Sequence, residues 1–169
     1  VLAGVERSAN ALGSFCMAVE HAARQLHGHQ RWQLQDWRVS VGLVRVANIS
    51  TCIAVAEHLR LSGMHVMTYH AREPLLRRAW KEMQLDRILR RTANDQELQG
   101  AMLEQIKREF VPRGSDAIFV VVATPVEEVG RDHDFDWAVI EPSSAHSIVQ
   151  TAGRVNRHRL HSIKQPNVA

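Results

Sequence analysis

The sequence predicts an α/β domain: a doubly wound, mainly parallel sheet with helices on both faces, preceded by a long N-terminal helix. Three observations carry this expectation. Short β-branched runs alternate along the chain with segments of helical period. One run, "AIFVVVA" (Ala117 to Ala123), is apolar at every position, which fits a strand covered on both faces of a parallel sheet. Residues that start or stop helices, among them Gly63, Pro74 and Ser144, stand at the boundaries.

From Ala9 to His27, Leu12, Phe15, Cys16, Val19, Ala22, Ala23 and Leu26 recur at three and four, marking one face of a helix. The tryptophan-bearing "HGHQRWQLQDW" follows as a polar link. "VSVGLVRVA" (Val39 to Ala47) is a β-branched run, and Ser50 or Thr51 is suited to cap a helix that Gly63 ends. The short strand "HVMTYH" (His65 to His70) leads to Pro74 as first residue of the helix "PLLRRAWKEMQLDRILRR". Leu98, Met102, Ile106 and Phe110, spaced by four, predict another helix before the central strand "AIFVVVA". "WAVIE" (Trp137 to Glu141) is the next strand, and Ser143 or Ser144 caps a last helix running through "AHSIVQTAGRVNRHR".

At 169 residues and 45% hydrophobic, the chain is sized for one globular domain with a real core. Lys and Arg exceed Asp and Glu by 21 to 18, and a pI near 9.3 permits an anionic partner without requiring one. The arginines gather at Arg72 to Arg91 and Arg154 to Arg159, and a guanidinium fork matches phosphate. Cys16 and Cys52 each sit in an apolar helical pattern, so neither a disulfide framework nor a zinc knuckle is supported and a reducing compartment is expected. No apolar segment approaches the ~20 residues that cross a bilayer and no signal peptide opens the chain, so a cytoplasmic protein with no membrane partner is expected. The opening Val and the closing "HSIKQPNVA" read as a piece cut from a longer protein.

The stretch "VATPVEEVGRDHDFDW" (Val122 to Trp137) places Asp132, His133, Asp134 and Asp136 together after a strand, where doubly wound sheets bind ligands at the strands' carboxyl ends. A metal site of the His-Asp phosphohydrolase type needs further ligands converging from helices. A plain solvated loop is the bland alternative. In an extended segment the three Asp side chains share one side and His133 faces away. "QTAGRVNRHR" (Gln150 to Arg159) supplies a third reading: Arg154 and Arg157, spaced by three on one helix face, can reach the same anion. Cations in the last turn of a helix are also favoured by its dipole, which is the structural reading of the pair.

A strand ending in Ala-Thr, then E-x-G-x-D, a further strand and a helix bearing Q-x-x-G-R-x-x-R form an ordered constellation. It resembles the second RecA-like lobe of superfamily-two helicases. Val122 to Asp136 looks like their fifth motif, Gln150 to Arg157 like their sixth, "VGLVRVANIS" like the fourth, and "YHAREPLLRRAWKEMQLD" like the segment after it. The fuller pattern is similar to the CRISPR-associated helicase-nuclease of type I systems, closest to subtype I-F, from about Val39 to the C-terminus. The expected organisation is therefore an N-terminal helix and linker at residues 1–36 and a RecA-like lobe at 37–169.

The resemblance implies roles residue by residue. Gly130 and Asp132 would face ATP, Gly130 by close approach of bare backbone and Asp132 as an acceptor near the ribose. Arg154 and Arg157 would reach the triphosphate held by a partner lobe, and Gln150 would help position nucleotide or attacking water; these three are the catalytic candidates. Thr124, Arg72 and Arg77 would contact the DNA backbone, although a solvated helix suits Arg77 equally. No metal ligand is expected in this chain. Pro125 stands where related helicases often carry Gln, and Thr151 where many carry the first Arg of the sixth motif, which leaves two arginines for the phosphate.

The chain contains no G-x-x-x-x-G-K-[ST] loop and no acidic Walker-B-like box. ATP and Mg2+ are thus expected to be held mainly by a first RecA-like lobe outside this sequence, and a divalent metal by an HD nuclease domain of the same protein. The resemblance further implies single-stranded DNA, an RNA-guided CRISPR surveillance complex and the CRISPR integrase as partners. An ATP-dependent DNA helicase, inactive as this fragment alone, is the resulting expectation. A non-catalytic α/β module that binds nucleotide or protein, and an HD-type hydrolase, are its alternatives. The module gains if the Arg154 and Arg157 side chains point to bulk solvent on the edge opposite the strands' carboxyl ends.

Overall fold

Alternation of apolar side chains to the two sides of one strand decides how this chain folds, and β4 shows it most plainly. In the computed structural model, which describes residues 2–89, 100, 102, 104, 116–125, 133–158 and 164–169, the elements run α1 (Leu2–Gln30), β1 (Trp32–Leu34), β2 (Trp37–Arg45), α2 (Ile49–Leu61), β3 (His65–Tyr69), α3 (Leu75–Leu89), β4 (Asp116–Ala123), β5 (Trp137–Ile140) and α4 (Ala145–Ala152). β4 lies between β2 and β3 and is parallel to both, so its position is central as its composition requires. β5 joins β2 in parallel at Gly42 to Arg45, while β1 pairs antiparallel with Trp37 to Val39 on the same edge.

Ile118, Val120 and Val122 point into one core layer with Cys16, Val19, Ala23 and Leu26 of α1 and Cys52, Val55, Ala56 and Leu59 of α2. Ala117, Phe119, Val121 and Ala123 point into the other, against Leu85, Ile88 and Leu89 of α3 and against Met102. Helices therefore cover both faces, the doubly wound arrangement that the alternation of strands and helices predicts. Cys16 and Cys52 are free and buried. Burial pushes the Cys52 thiol up to about 11, so it behaves as a small apolar side chain. No helix among the described residues is long and apolar enough to cross a membrane.

Four details differ from the sequence expectation. The first helix extends beyond Ala9 to His27 at both ends. The polar link contains β1, which turns into β2 through Gln35 at φ 52; three residues are too short a run to announce a strand. α2 starts after Asn48, whose carbonyl accepts from the Cys52 N–H, so neither Ser50 nor Thr51 is its cap. The Glu141 carboxylate holds the Ala47 N–H at 2.7 Å just upstream and so sets where the helix begins. Pro74 stands immediately before α3, its carbonyl accepting from the Arg78 N–H. Gly63 ends α2 at φ +83, a conformation that favours glycine. Of the helix expected from Leu98 to Phe110, Gly100, Met102 and Glu104 are helical and the rest lie outside the described residues.

A polar chain crosses the layer between α1 and the sheet. The Trp137 indole N–H donates to Ser40 Oγ at 2.9 Å, Ser40 Oγ meets His27 Nδ1 at 2.7 Å, and His27 Nε2 meets Asp116 at 3.3 Å. A neutral imidazole with its proton on Nε2 satisfies every member: Ser40 donates to Nδ1 and His27 donates to the carboxylate. Burial holds the His27 pKa below 6.5, outweighing the nearby Asp116 charge.

Two outcomes follow from this layer. A Cβ at position 42 falls 2.2 Å from the Trp137 ring, so Gly42→Ala is expected to destabilise the chain by about 1–3 kcal/mol in denaturant unfolding. The unfolded chain binds a proton at His27 more readily than the folded one, so its contribution is complete above pH 6.5 and is lost as pH falls from there toward the lower folded value. Melting temperature should drop across that window, and His27→Gln should flatten the drop; equal slopes in both proteins would refute the assignment.

Candidate functional site

Each described side chain of the Asp-His cluster has its own protein partner. His133, fully buried, meets Asp86 of α3 at 3.0 Å and lies edge-on to Phe135. Asp134 accepts from the backbone N–H groups of Arg157 at 3.0 Å and His158 at 3.2 Å. Asp136 accepts from the Val41 N–H at 2.6 Å and the Trp32 indole at 3.3 Å, while its own N–H donates to the Val41 carbonyl. The carboxylates thus fasten three separate pieces of chain to β5. Among the described residues no three His, Cys, Asp or Glu side chains converge as a metal set.

The arginine segment is not helical. α4 stops at Ala152, Gly153 is its C-cap, and Asn156 adopts φ 55, so Arg154 and Arg157 do not share a helix face as their spacing suggests. What wins is pairing to the strand approach. Phe135 N–H donates to the Arg154 carbonyl and Asn156 N–H to the Phe135 carbonyl, both at 2.9 Å, which lays Val155 alongside Phe135. Asp134 then holds the next two amides. Arg154 is 7% exposed and Arg157 is exposed. Ser144 caps α4 through the Ser147 N–H, one of the two caps expected.

The register also moves the cluster. Asp136 bonds to Val41 in the middle of β2, so Asp134, Phe135 and the arginines lie toward the amino side of the sheet, not at the carboxyl ends where the sequence placed the Asp-rich stretch. The reason is that the chain returns from the end of β4 before it enters β5. Thr124 and Arg72 remain at the carboxyl ends of β4 and β3: the buried Thr124 gives its N–H to the Tyr69 carbonyl, and Arg72 is exposed in the turn after β3. Two groups of residues result, and the fold does not bring them together. Arg77 is exposed on α3 and lines a cavity of about 260 Å3, and Gln150 is exposed near the end of α4. Gly130 and Asp132 lie outside the described residues.

Sequence reasoning missed what Asp134, Asp136 and Glu141 do. A carboxylate that caps backbone amides across a tertiary contact leaves no periodic signal, since its partners are 23 or more residues away. Thr151, at the position of a missing arginine, is fully buried and bonds back to the Ser147 carbonyl at 2.8 Å.

The structure is thus a mainly parallel, doubly wound α/β unit with an arginine segment clamped against the approach to its last strand. The chain belongs to the family described as CRISPR-associated nuclease/helicase Cas3, C-terminal, whose sequence profile matches residues 38–160. It is 44% identical over 140 residues to the CRISPR-associated nuclease/helicase Cas3 subtype I-F/YPEST of Pseudomonas aeruginosa strain UCBPP-PA14, covering 79% of this chain and 13% of that protein. Its counterpart from Pectobacterium atrosepticum is 41% identical over 155 residues, covering 85% of this chain and 14% of the relative. The chain therefore spans about one-seventh of the curated relatives it matches. Among solved structures, T. fusca Cas3 with ADP superposes with a TM-score of 0.61 at 17% identity, over 90% of this chain and 16% of the other. A second, described as a CRISPR-associated protein, gives 0.58 at 21% identity over 88% and 15%. These likenesses establish the fold.

Asp134 can be tested on the chain itself. Asp134→Ala leaves two amides without their acceptor and is expected to destabilise by about 1–3 kcal/mol, with Asp134→Asn losing less because one acceptor oxygen remains. Denaturant titration reads the difference, and an unshifted Asp134→Ala midpoint would mean the clamp does not bear on folding.

Proposed function

We propose that this chain is the second motor lobe of an ATP-dependent single-strand DNA translocase, acting in CRISPR interference with an HD nuclease domain of the same protein. The observation that carries this reading is the Asp134 clamp: a buried carboxylate spends both oxygens on the amides of Arg157 and His158, fixing the backbone of the arginine segment beside the fifth-motif stretch. Side chains meant for a transition state need such preorganised backbone. The curated relatives are named nuclease/helicase, and T. fusca Cas3 has been solved with ATP and with ADP.

In this reading ATP sits between the lobes and, when bound, supplies the phosphoryl group whose transfer to water drives the motor. Arg157, which is exposed, and Arg154, which is 7% exposed, both reach the triphosphate. Asp132 accepts from the ribose, Gly130 admits the nucleotide and Gln150 orients it or the attacking water. Magnesium belongs to groups outside this chain, because the described carboxylates of the cluster are engaged with protein donors. Thr124 and Arg72 contact the phosphates of single-stranded DNA, weakly and with steep salt dependence. A first RecA-like lobe, an RNA-guided surveillance complex and the CRISPR integrase complete the set of partners.

The separation of the two groups of residues supports a motor. A translocating lobe must touch track and fuel at different places and link them, and the single stretch from Thr124 to Asp134 joins the two here. One observation favours the rival, a non-catalytic α/β binding module: Arg157 is exposed and lies away from the strands' carboxyl ends.

Steady-state ATP hydrolysis separates them. The isolated chain is expected to show no DNA-stimulated turnover, lacking the phosphate loop. In the full-length enzyme Arg157→Ala should lower turnover by roughly 10³-fold with nucleotide binding largely kept, because a finger acts on charge developing in the transition state. Asp132→Asn should weaken ATP use with metal content unchanged. An Arg157→Ala enzyme with wild-type turnover would overturn the motor reading in favour of the module.

A further inference from the structure

α3 is apolar on two faces. Leu85, Ile88 and Leu89 are buried under the sheet, yet Leu76, Trp80 and Met83, at i, i+4 and i+7, form a second stripe that is 87%, 55% and 53% exposed. An exposed tryptophan inside a contiguous apolar stripe marks a contact surface, because Trp dominates the energetics of buried interfaces. Beside the stripe opens the cavity of about 260 Å3, with Trp80 and Arg77 on one wall and Met67 and Phe119 among its lining.

The neighbouring edge strand restricts what can settle there. β3 pairs only with β4 among the described residues, and its free side presents the carbonyls of Val66 and Thr68, since Tyr69 gives its carbonyl to Thr124 on the β4 side. Both outward carbonyls are already taken: Arg60 donates to Val66 at 3.2 Å, and the Lys81 ammonium, paired with Glu73, donates to Thr68 at 2.6 Å. Such capping closes an edge to strand addition. The acidic groups near the stripe are engaged within the lobe as well: Glu73 with Lys81, Glu82 with Arg78 at 3.8 Å, and Asp86 with His133. Arg77 and Arg87 have no acidic partner among the described residues.

We infer that the Leu76–Trp80–Met83 face of α3 docks an amphipathic helix that carries acidic residues opposite Arg77 and Arg87, contributed by the same polypeptide outside these 169 residues. A closed strand edge selects helix over strand, and two guanidinium groups with no acidic partner among the described residues select acid. The source follows from length. The lobe spans 13% and 14% of its curated relatives, and a tethered segment meets the face at an effective concentration that a separate protein rarely reaches. Arg77 thereby becomes a protein contact instead of a DNA contact. The inference does not rest on the motor reading, and its test uses neither ATP nor DNA.

Hydroxyl-radical footprinting of the full-length protein reads it through Met83. In the wild type Met83 should label several-fold more slowly than in Trp80→Glu, and the double variant Arg77→Glu with Arg87→Glu should release it similarly. Ile53→Glu, on the exposed side of α2, should leave Met83 labelling unchanged. Dilution of the wild type should not alter the protection. Equal Met83 labelling in wild type and Trp80→Glu would show the face uncovered. Protection that survives the double arginine variant would remove the acidic helix, and protection lost on dilution, or gained only with an added protein, would assign the face to a second copy or a separate partner.

Discussion

The missing side chain at Gly42 is the constraint on which the rest depends. Because nothing projects there, the Trp137 ring lies directly against the β2 backbone, and its indole N–H reaches Ser40 two residues back. That contact brings β5 beside β2 and fixes which residue of β5 faces which residue of β2. Everything C-terminal is referenced to it. The Val155 bridge to Phe135 and the Val168 bridge to Ala138 are both built on the flank of β5. A strand of four residues has little ladder of its own, so one aromatic fit carries much of its placement.

Around that fit, carboxylates finish what the short strand cannot. Asp136 extends the β5–β2 pairing past its amino end through the Val41 N–H, Glu141 does the same at its carboxyl end through the Ala47 N–H, and Asp134 reaches sideways to Arg157 and His158. Each accepts from a backbone donor that would otherwise be left unpaired, and bonds to a charged acceptor are the stronger kind. The cluster that resembles metal chemistry in the sequence is therefore, in its described part, a set of splices.

Much of the fold was legible because it depends on period. The alternation of "AIFVVVA" reports a doubly covered strand, and the three-and-four spacing from Leu12 to Leu26 reports a helix with one buried face; both patterns are local consequences of burial. β1 was not legible, since Trp32 and Leu34 alone make no pattern. The site was readable as an ordered set of motifs and unreadable as geometry. R-x-x-R suggests a helix face, but an αL Asn156 and a pairing to Phe135 override helical spacing, and both are decided by residues about twenty positions upstream. Tertiary hydrogen bonds of this kind carry no periodicity, so only the structure reveals them.

The same splices tie one side of the lobe to the other. Thr124 is tied to β3 through the Tyr69 carbonyl, and Asp134 is tied to α3 through the Leu89 carbonyl and to the arginine segment through its side chain. The core layers beneath both anchors are close-packed and do not deform continuously, so a displacement at one anchor bears on the other. In the proposed motor reading, whose fuel and track contacts stand beside these two anchors, that arrangement would couple an event at the arginines to a movement at Thr124.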